Sequence, residues 1–185
     1  KNDEQRIIDL FREPFELKES GWNPSFFSLL NGAAMHVFYN KGDMGQARLF
    51  AQNIIDNKKV LLSPNVNKCS CILAALANAY TVLGNIEKAK SLAEEIFDQY
   101  TSDFDDGVRA MANIDLERAV EMAFAEKARY PNWQGFDNLA AYYIWNRSFL
   151  IHPRVQEYYI KQGKWITYLA ERVPEYAKYK LKAAE

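Results

Sequence analysis

Two stretches of this chain repeat each other 42 residues apart, and this internal repeat limits the possible folds more than any other feature. Lys41–Asp56 reads KGDMGQARLFAQNIID and Leu83–Asp98 reads LGNIEKAKSLAEEIFD, with five of sixteen positions identical. A period of about 20–50 residues is typical of repeat proteins, in which each unit buries its apolar face against the next. The sequence therefore predicts an array of stacked units.

Each copy has the pattern of a helical hairpin. Gly42 and Gly84 can adopt the positive φ that ends a helix, and Asp43 and Asn85 can cap the helix that follows. Alanines in the second helix allow its partner to approach closely. Since one hairpin cannot bury both of its faces, neighbouring hairpins are expected to stack on it.

The remaining sequence is also typical of helices. Asn23-Pro24 reads as an N-cap followed by proline in the first turn, and no segment shows sustained alternation of apolar and polar residues. An all-α chain is predicted, with one long helix or two shorter ones over 108–130 and a helix over 136–150. The expected organisation is a single domain: an N-terminal helix (1–20), a first repeat (24–58), a second repeat (66–100), a degenerate third repeat (105–131) and aromatic-rich C-terminal capping helices (134–185).

Composition and charge exclude several classes of protein. Apolar residues make up 49% of the chain, too many for a disordered protein, and no apolar run approaches the roughly 18–20 residues that cross a bilayer. The net charge of −1 argues against nucleic-acid binding by this segment. Charge is uneven, however, at −7 over residues 94–121 and +4 over residues 147–185. The pattern fits solvated outer faces or a bipolar surface that steers a partner.

The repeat resembles the tetratricopeptide family, whose units carry a small residue and an aromatic in the first helix, a Gly-Asp/Asn turn and a small residue early in the second. The second copy shows this pattern best, and the first copy departs from it at Met35, where a small residue is usual. The period is also 8 residues longer than the family's 34. The residues that carry the resemblance are Leu76, Ala77, Tyr80, Gly84, Asn85 and Ala89 in the second copy, Phe38, Gly42, Asp43 and Ala47 in the first, and Ala119, Ala123 and Pro131 in a degraded third.

This resemblance implies a right-handed superhelix of antiparallel hairpins with a concave binding face lined by the first helices. It implies a non-catalytic scaffold that binds a protein or peptide partner. Members that clamp carboxylates place Lys where Gly32 and Ala74 stand here, so an extended peptide or a neutral ligand is expected instead. By the family's pattern, the groove-facing residues are His36, Tyr39, Asn40, Asn78 and Thr81.

The C-terminal part is similar to the ends of tetratricopeptide regions in larger bacterial signalling and transcription regulators. His152, Pro153, Arg154 and Gln156 carry this likeness. Because the chain begins at Lys1 without an initiator Met, it is expected to be the binding end of a longer protein. The alternative function is therefore a sensory or regulatory domain, either cytoplasmic or extracytoplasmic beyond a membrane anchor.

Aromatic residues gather near the C-terminus, where residues 130–179 hold 13 of the 26. Tyr142, Trp145 and Trp165 are candidates for an aromatic patch. Such a cluster is typical of a packed core, and it also suits a homodimer interface or a ligand groove. A small-ligand carrier or an all-α enzyme with an aromatic pocket is the second alternative.

The sequence contains no recognisable catalytic, metal or cofactor motif, so a non-enzyme without a cofactor is expected. Cys69 and Cys71 are expected to point to different sides of a helix as buried small residues, with a redox role as the minor alternative. Asp103–Asp106 lacks the spacing of a calcium-binding loop and predicts a solvated helix start.

Overall fold

The computed structural model describes residues 3–17, 23–64, 66, 69–99 and 104–179. Within these ranges, the side chains of eight residues are outside the description: Asp3, Glu4, Ile7, Asp98, Gln99, Phe104, Asp105 and Trp145. Parts of the predicted segments therefore lie outside the described residues, namely 1–2, 18–20, 67–68, 100 and 180–185. All regular structure of the described residues is helical, so the predicted all-α class is confirmed.

The described residues form twelve α-helices and, at the end, a 3₁₀ helix. None of these helices has the length and apolar character needed to cross a bilayer. The α-helices are α1 (Asp3–Leu10), α2 (Pro24–Asn40), α3 (Met44–Asp56), α4 (Lys58–Leu61), α5 (Ser70–Val82), α6 (Ile86–Gln99), α7 (Phe104–Ala112), α8 (Leu116–Arg129), α9 (Gly135–Ala141), α10 (Tyr143–Leu150), α11 (Pro153–Gln162) and α12 (Ile166–Arg172), and the 3₁₀ helix spans Pro174–Tyr179.

The two turns predicted from the internal repeat have the same geometry. Gly42 and Gly84 adopt φ values of 77° and 82°, which only glycine adopts without strain. The next amide in each turn donates to a carbonyl five residues back, at 2.9 Å in the first copy and 2.8 Å in the second. These are the hydrogen bonds of a Schellman C-cap.

The helices that follow these turns are capped by the predicted side chains. Asp43 Oδ1 accepts from the amide of Gln46 at 3.1 Å, and Asn85 Oδ1 accepts from the amide of Lys88 at 3.4 Å. Asp115 performs the same role at the start of α8, where its Oδ1 accepts from the Arg118 amide at 3.0 Å. Each cap satisfies an amide that has no partner inside its own helix.

Three pairs of helices pack as hairpins: α2 with α3, α5 with α6, and α7 with α8. We call α2, α5 and α7 the first helices. Helix α5 contacts both α2 and α7, so the first helices lie side by side in chain order. The short helix α10 also packs against α2 and α7, which brings the C-terminal part of the chain onto the same side as the first helices.

The apolar core consists of two clusters that meet at α5. One contains Phe27, Phe50 and Ile54 from α2 and α3, and the other extends from Val108 on α7 to Tyr176 in the 3₁₀ helix. Helix α5 contributes to both clusters and is buried at eleven of its thirteen residues. A helix that is apolar on all sides belongs in the interior, and α5 therefore joins the two halves of the chain.

The N-terminal segment covers the outer end of the first hairpin. Phe15 is held through its backbone, since its amide donates to Asn31 Oδ1 at 3.1 Å and its carbonyl accepts from Asn53 Nδ2 at 2.6 Å. Residues 11–17 are not helical, so the N-terminal helix predicted over 1–20 is shorter than expected. Pro14 explains the difference, because proline lacks an amide hydrogen and disfavours helical backbone in the residue before it.

Two other predicted helices are interrupted. The segment 108–130 contains the end of α7 and the whole of α8, which are separated at Asn113–Asp115. Of the two predicted arrangements, one long helix or two shorter ones, the second is therefore the one observed. The helix predicted over 136–150 breaks at Tyr142, whose ψ of 45° is not helical. Asn146 supports this break, because its buried Nδ2 group donates to the carbonyls of Leu139 and Tyr142.

The C-terminal helices pack around aromatic rings. The ring of Phe136 stacks on that of Tyr158 at 4.1 Å between centroids. The buried hydroxyl of Tyr159 donates to the Phe136 carbonyl, and that of Tyr176 donates to the Leu150 carbonyl, both at 2.6 Å. Burial raises the pKa of both hydroxyls above the usual value, so they stay protonated as donors.

Candidate functional site

A small polar cleft lies where the three first helices face one another. Helix α2 contributes Ser28, Gly32 and His36, which are spaced four residues apart and share one face. The cavity within the cleft has a volume of about 30 Å³, enough for one or two groups the size of a water molecule. The full lining is Ser28, Leu29, Gly32, His36, Cys71, Ala74, Ala75, Asn78 and Arg109.

His36 is the only imidazole that lines this cleft, and it is neutral there. Its side chain is 4% exposed, and burial lowers the pKa to about 3, with a smaller contribution from the positive charge of Arg109. Its Nε2 atom is buried and has no hydrogen-bond partner among the described residues. A neutral imidazole nitrogen can donate or accept one hydrogen bond, depending on its tautomer.

Ser28 adds a second polar atom of the same kind. The residue is 1% exposed, and its Oγ atom has no hydrogen-bond partner among the described residues. A buried polar atom without a partner costs about 1–3 kcal/mol, and the great majority of such atoms in proteins are paired. A ligand with a polar group could therefore gain affinity by bonding to Ser28 and His36.

Asn78 enters the cleft from α5 in a fixed orientation. Its Oδ1 atom accepts from Asn113 Nδ2 at 2.8 Å, and Asn113 also donates to the Arg109 carbonyl at 3.4 Å. The Nδ2 group of Asn78 is consequently left to donate to a ligand. The side-chain amide of Asn78 thus donates hydrogen bonds to the cleft, whereas Ser28 and His36 can each donate or accept one.

Arg109 brings a positive charge that its neighbours balance. Its Nη1 lies 3.0 Å from Asp106 Oδ1, and the Ser70 hydroxyl donates to Asp106 Oδ2 at 2.6 Å. Asp106 is only 9% exposed. The prediction of a solvated helix start over Asp103–Asp106 is therefore wrong at Asp106, where an ion pair and a hydroxyl compensate for burial; Asp103 and the side chain of Asp105 lie outside the described residues.

The chain's own C-terminal part covers one side of the cleft region. Asn40 Nδ2 donates to the Ile144 carbonyl at 3.0 Å, and the guanidinium carbon of Arg109 lies 5.5 Å from the ring centre of Tyr142. Helix α10 thus covers part of the first-helix face, which the resemblance predicts to be the concave binding face. The part of this face that α10 leaves uncovered is the cleft between α2, α5 and α7.

The predicted groove residues have different surroundings. His36 and Asn78 line the same cleft. Asn40 bonds to α10, and Tyr39 is 39% exposed. The Thr81 hydroxyl donates to the Ala77 carbonyl of its own helix at 3.0 Å, which leaves its oxygen available only as an acceptor.

The predicted aromatic patch can be described only in part. The side chain of Trp145 lies outside the described residues, and Tyr142 is 49% exposed. Trp165 Nε1 donates to Asp137 Oδ1 at 2.6 Å, and its ring meets Tyr168 edge to face at 5.3 Å. Partial burial favours a higher pKa for Asp137, but hydrogen bonds from Lys164 and Trp165 hold this pKa below its usual value.

The structure overturns the interpretation of the two cysteines. Cys69 and Cys71 are joined in a disulfide and are half-buried. Helix α5 begins at Ser70, and Cys69 precedes it in extended backbone with φ −102° and ψ 153°. The rule that residues i and i+2 diverge holds within a helix, and it does not apply across this boundary.

Ser28 and Arg109, which bring a hydroxyl and a guanidinium to the cleft, were not predicted. Ser28 could have been found from its spacing of four from Gly32 and of eight from His36. Arg109 had no such signal, because the third pair of helices lacks the turn glycine that would have fixed its register. Only packing shows that α7 turns Arg109 toward α2 and α5.

No known protein family, curated protein or solved structure matches this chain. Among the described residues, no group of three or more His, Cys, Asp or Glu side chains could hold a metal ion.

Proposed function

We propose that this chain is a non-catalytic interaction module that binds an uncharged stretch of extended peptide across the cleft between its first helices, with a polar group of the peptide backbone inside the cleft. The observation that carries the proposal is a pair of buried polar atoms in one cleft, Ser28 Oγ and His36 Nε2, that have no hydrogen-bond partner in the described part of the chain. A backbone amide or carbonyl of a peptide has the size and polarity to bond to them.

The proposed arrangement is a superhelix of the tetratricopeptide type. The contacts among the first helices and the matching turns at Gly42 and Gly84 support it. In such an array the first helices line the inner surface, and the cleft lies between the helices that would form this surface.

The charges around the cleft favour a neutral ligand. His36 is uncharged, and Arg109 is already paired with Asp106. The walls also include Gly32, Ala74 and Ala75, whose small side chains leave room for a backbone. Leu29 lines the cleft and is 43% exposed, and Phe26, three residues earlier on the same face of α2, is 46% exposed, so both can contact apolar side chains of the bound segment.

A selected peptide tests this proposal directly. A random dodecapeptide phage library is panned on the immobilised chain, enriched peptides are synthesised, and their Kd values are measured by fluorescence polarisation. Ser28→Ala and Asn78→Ala should each weaken binding about tenfold, the effect of losing one hydrogen bond of about 1.4 kcal/mol. The double variant Tyr39→Ala and Asn78→Ala should weaken binding at least as much as Asn78→Ala alone.

Gln52→Ala is the matched control, because Gln52 is exposed on α3 and its side chain bonds only to Asp56. It should leave the Kd unchanged. The proposal fails if no peptide is enriched. It also fails if the enriched peptides bind the cleft variants and the wild type equally well.

A further inference from the structure

The disulfide between Cys69 and Cys71 lies at the start of α5, on the border of the cleft. Cys71 belongs to the first turn of α5 and lines the cleft together with Ser28 and His36. Cys69 occupies the N-cap position just before the helix. The two sulfur atoms of one bond therefore have different surroundings.

This disulfide contributes little to the stability of the fold. A disulfide stabilises a protein mainly by restricting the unfolded chain, and this effect grows with the length of the loop that the bond closes. Here a single residue, Ser70, separates the two cysteines. Since the bond closes so short a loop, its chemistry is a better explanation for the pair than its effect on stability.

The surroundings of Cys69 stabilise a sulfur that carries negative charge. The first amides of a helix have no partners within the helix, and they attract an anion at the N-cap. The Ser25 hydroxyl lies 3.5 Å from Cys69 Sγ and is the donor of this contact, because a disulfide sulfur carries no hydrogen. A thiolate at Cys69 could accept from this hydroxyl and from the amides of the first turn.

Cys71 offers the sulfur that an incoming thiol attacks. Its side chain is half-buried and borders the cleft, so a small thiol can approach it from that side. Attack on Cys71 makes Cys69 the leaving group, and a better-stabilised thiolate leaves faster. The direction of attack thus follows from the positions of the two sulfurs.

We propose that Cys69 and Cys71 form a reversible dithiol–disulfide site that exchanges with a small dithiol at the cleft. A thiolate of the dithiol attacks Cys71 Sγ, a mixed disulfide forms, and the electrons of the broken S–S bond remain on Cys69 Sγ. The second thiol of the small molecule loses its proton and attacks the mixed disulfide, which closes a cyclic disulfide and releases Cys71 as a thiolate.

The overall reaction balances. The small dithiol is oxidised to a disulfide, the protein disulfide is reduced by two electrons, and the two protons of the dithiol end on Cys69 and Cys71. The reverse reaction reoxidises the protein with a small disulfide as the oxidant. The site therefore makes the border of the cleft responsive to thiols, whether or not the cleft binds a peptide.

A redox titration of the purified chain tests the proposal. The protein is equilibrated without denaturant in mixtures of reduced and oxidised dithiothreitol, quenched with iodoacetamide and analysed by mass spectrometry. We expect species with no and with two carbamidomethyl groups, whose ratio follows the buffer and returns when the buffer is reversed. The proposal is overturned if the pair stays oxidised in excess reduced reagent, or stays reduced in excess oxidised reagent.

Single-cysteine variants test the roles of the two sulfurs. Cys71→Ser leaves Cys69, which should react with iodoacetamide at pH 7 about tenfold faster than the Cys71 thiol that remains in Cys69→Ser, because more of it is thiolate. Equal rates, or a faster Cys71, would overturn the assignment of Cys69 as the leaving group. The double variant should keep the circular dichroism spectrum of the wild type, and the wild-type titration does not depend on any variant folding.

Discussion

Lowering the pH from 7 to 5 is expected to destabilise this protein by about 2 kcal/mol through one residue, His36. Burial holds its pKa near 3 in the folded chain, whereas the unfolded chain has the usual value of 6.5. Below pH 6.5 the unfolded state takes up a proton that the folded state excludes. Stability therefore falls as the pH decreases from 6.5 toward 3.

The magnitude follows from these two pKa values. Protonation stabilises the unfolded state by about 2 kcal/mol at pH 5 and by only a small fraction of that at pH 7, from RT ln(1 + 10^(pKa − pH)) with an unfolded pKa of 6.5. The difference at pH 5 barely depends on the folded pKa as long as that value stays below about 4. For a chain of this size, 2 kcal/mol lowers Tm by about 4–8 °C.

The assay is urea unfolding followed by circular dichroism at 222 nm, at pH 7, 6 and 5. His36→Asn replaces the imidazole with a neutral side chain that cannot take up a proton, so its loss of stability over this range should be about 2 kcal/mol smaller. Gln52→Ala is the control, because Gln52 is an exposed residue of α3 without a titratable group, and this variant should keep the wild-type dependence on pH.

The comparison between variants decides the outcome, since any acidic side chains that titrate near pH 5 contribute equally to all three proteins. If His36→Asn loses as much stability as the wild type between pH 7 and 5, His36 is not a buried neutral imidazole. The description of His36 as an uncharged side chain of the cleft would then be wrong.

Two further substitutions test the fold. Gly84→Ala should destabilise the chain by about 1 kcal/mol, because its φ of 82° strains any residue with a Cβ. Gly45→Ala inside α3 is the comparison and should stabilise the chain by about 0.5–1 kcal/mol. If urea unfolding shows that both variants or neither are destabilised, this account of the turn is contradicted. Tyr159→Phe removes the buried donor to the Phe136 carbonyl and should lower the unfolding free energy by about 1–3 kcal/mol. Tyr130→Phe, at a site that is 49% exposed, should have no measurable effect. Equal unfolding midpoints for these two variants would show that the Tyr159 hydroxyl contributes nothing to stability.

Local signals in the sequence were enough to predict most helices. Asn23-Pro24, Gly42-Asp43 and Gly84-Asn85 each act through backbone atoms within a few residues, so their effect does not depend on the rest of the chain. The break at Tyr142 was missed because no glycine or proline marks it. Its hydrogen bonds come from Asn146, and nothing in the sequence shows that this side chain turns inward.

The resemblance pointed to only part of the candidate site. The family's pattern gave His36 and Asn78 as groove-facing residues, and both line the cleft, while their role in binding stays a prediction. Arg109 was missed because it follows no glycine turn. The coverage by α10 was missed as well, since the contact of Asn40 with Ile144 joins residues 104 positions apart.

The sequence by itself determined the helical class, the hairpin turns and the apolar face of each helix, because these depend on neighbouring residues and on a period of 3.6. Tertiary structure alone decided which polar groups became buried together. Asp106 looks like a solvated acid in the sequence, yet it is buried between Arg109 and Ser70. Ser28 looks like an ordinary helix residue, and it lines a cleft because residues of α5 and α7 pack across it. Burial is a property of the packed helices, and it sets the charge of His36 and the chemistry of the cleft.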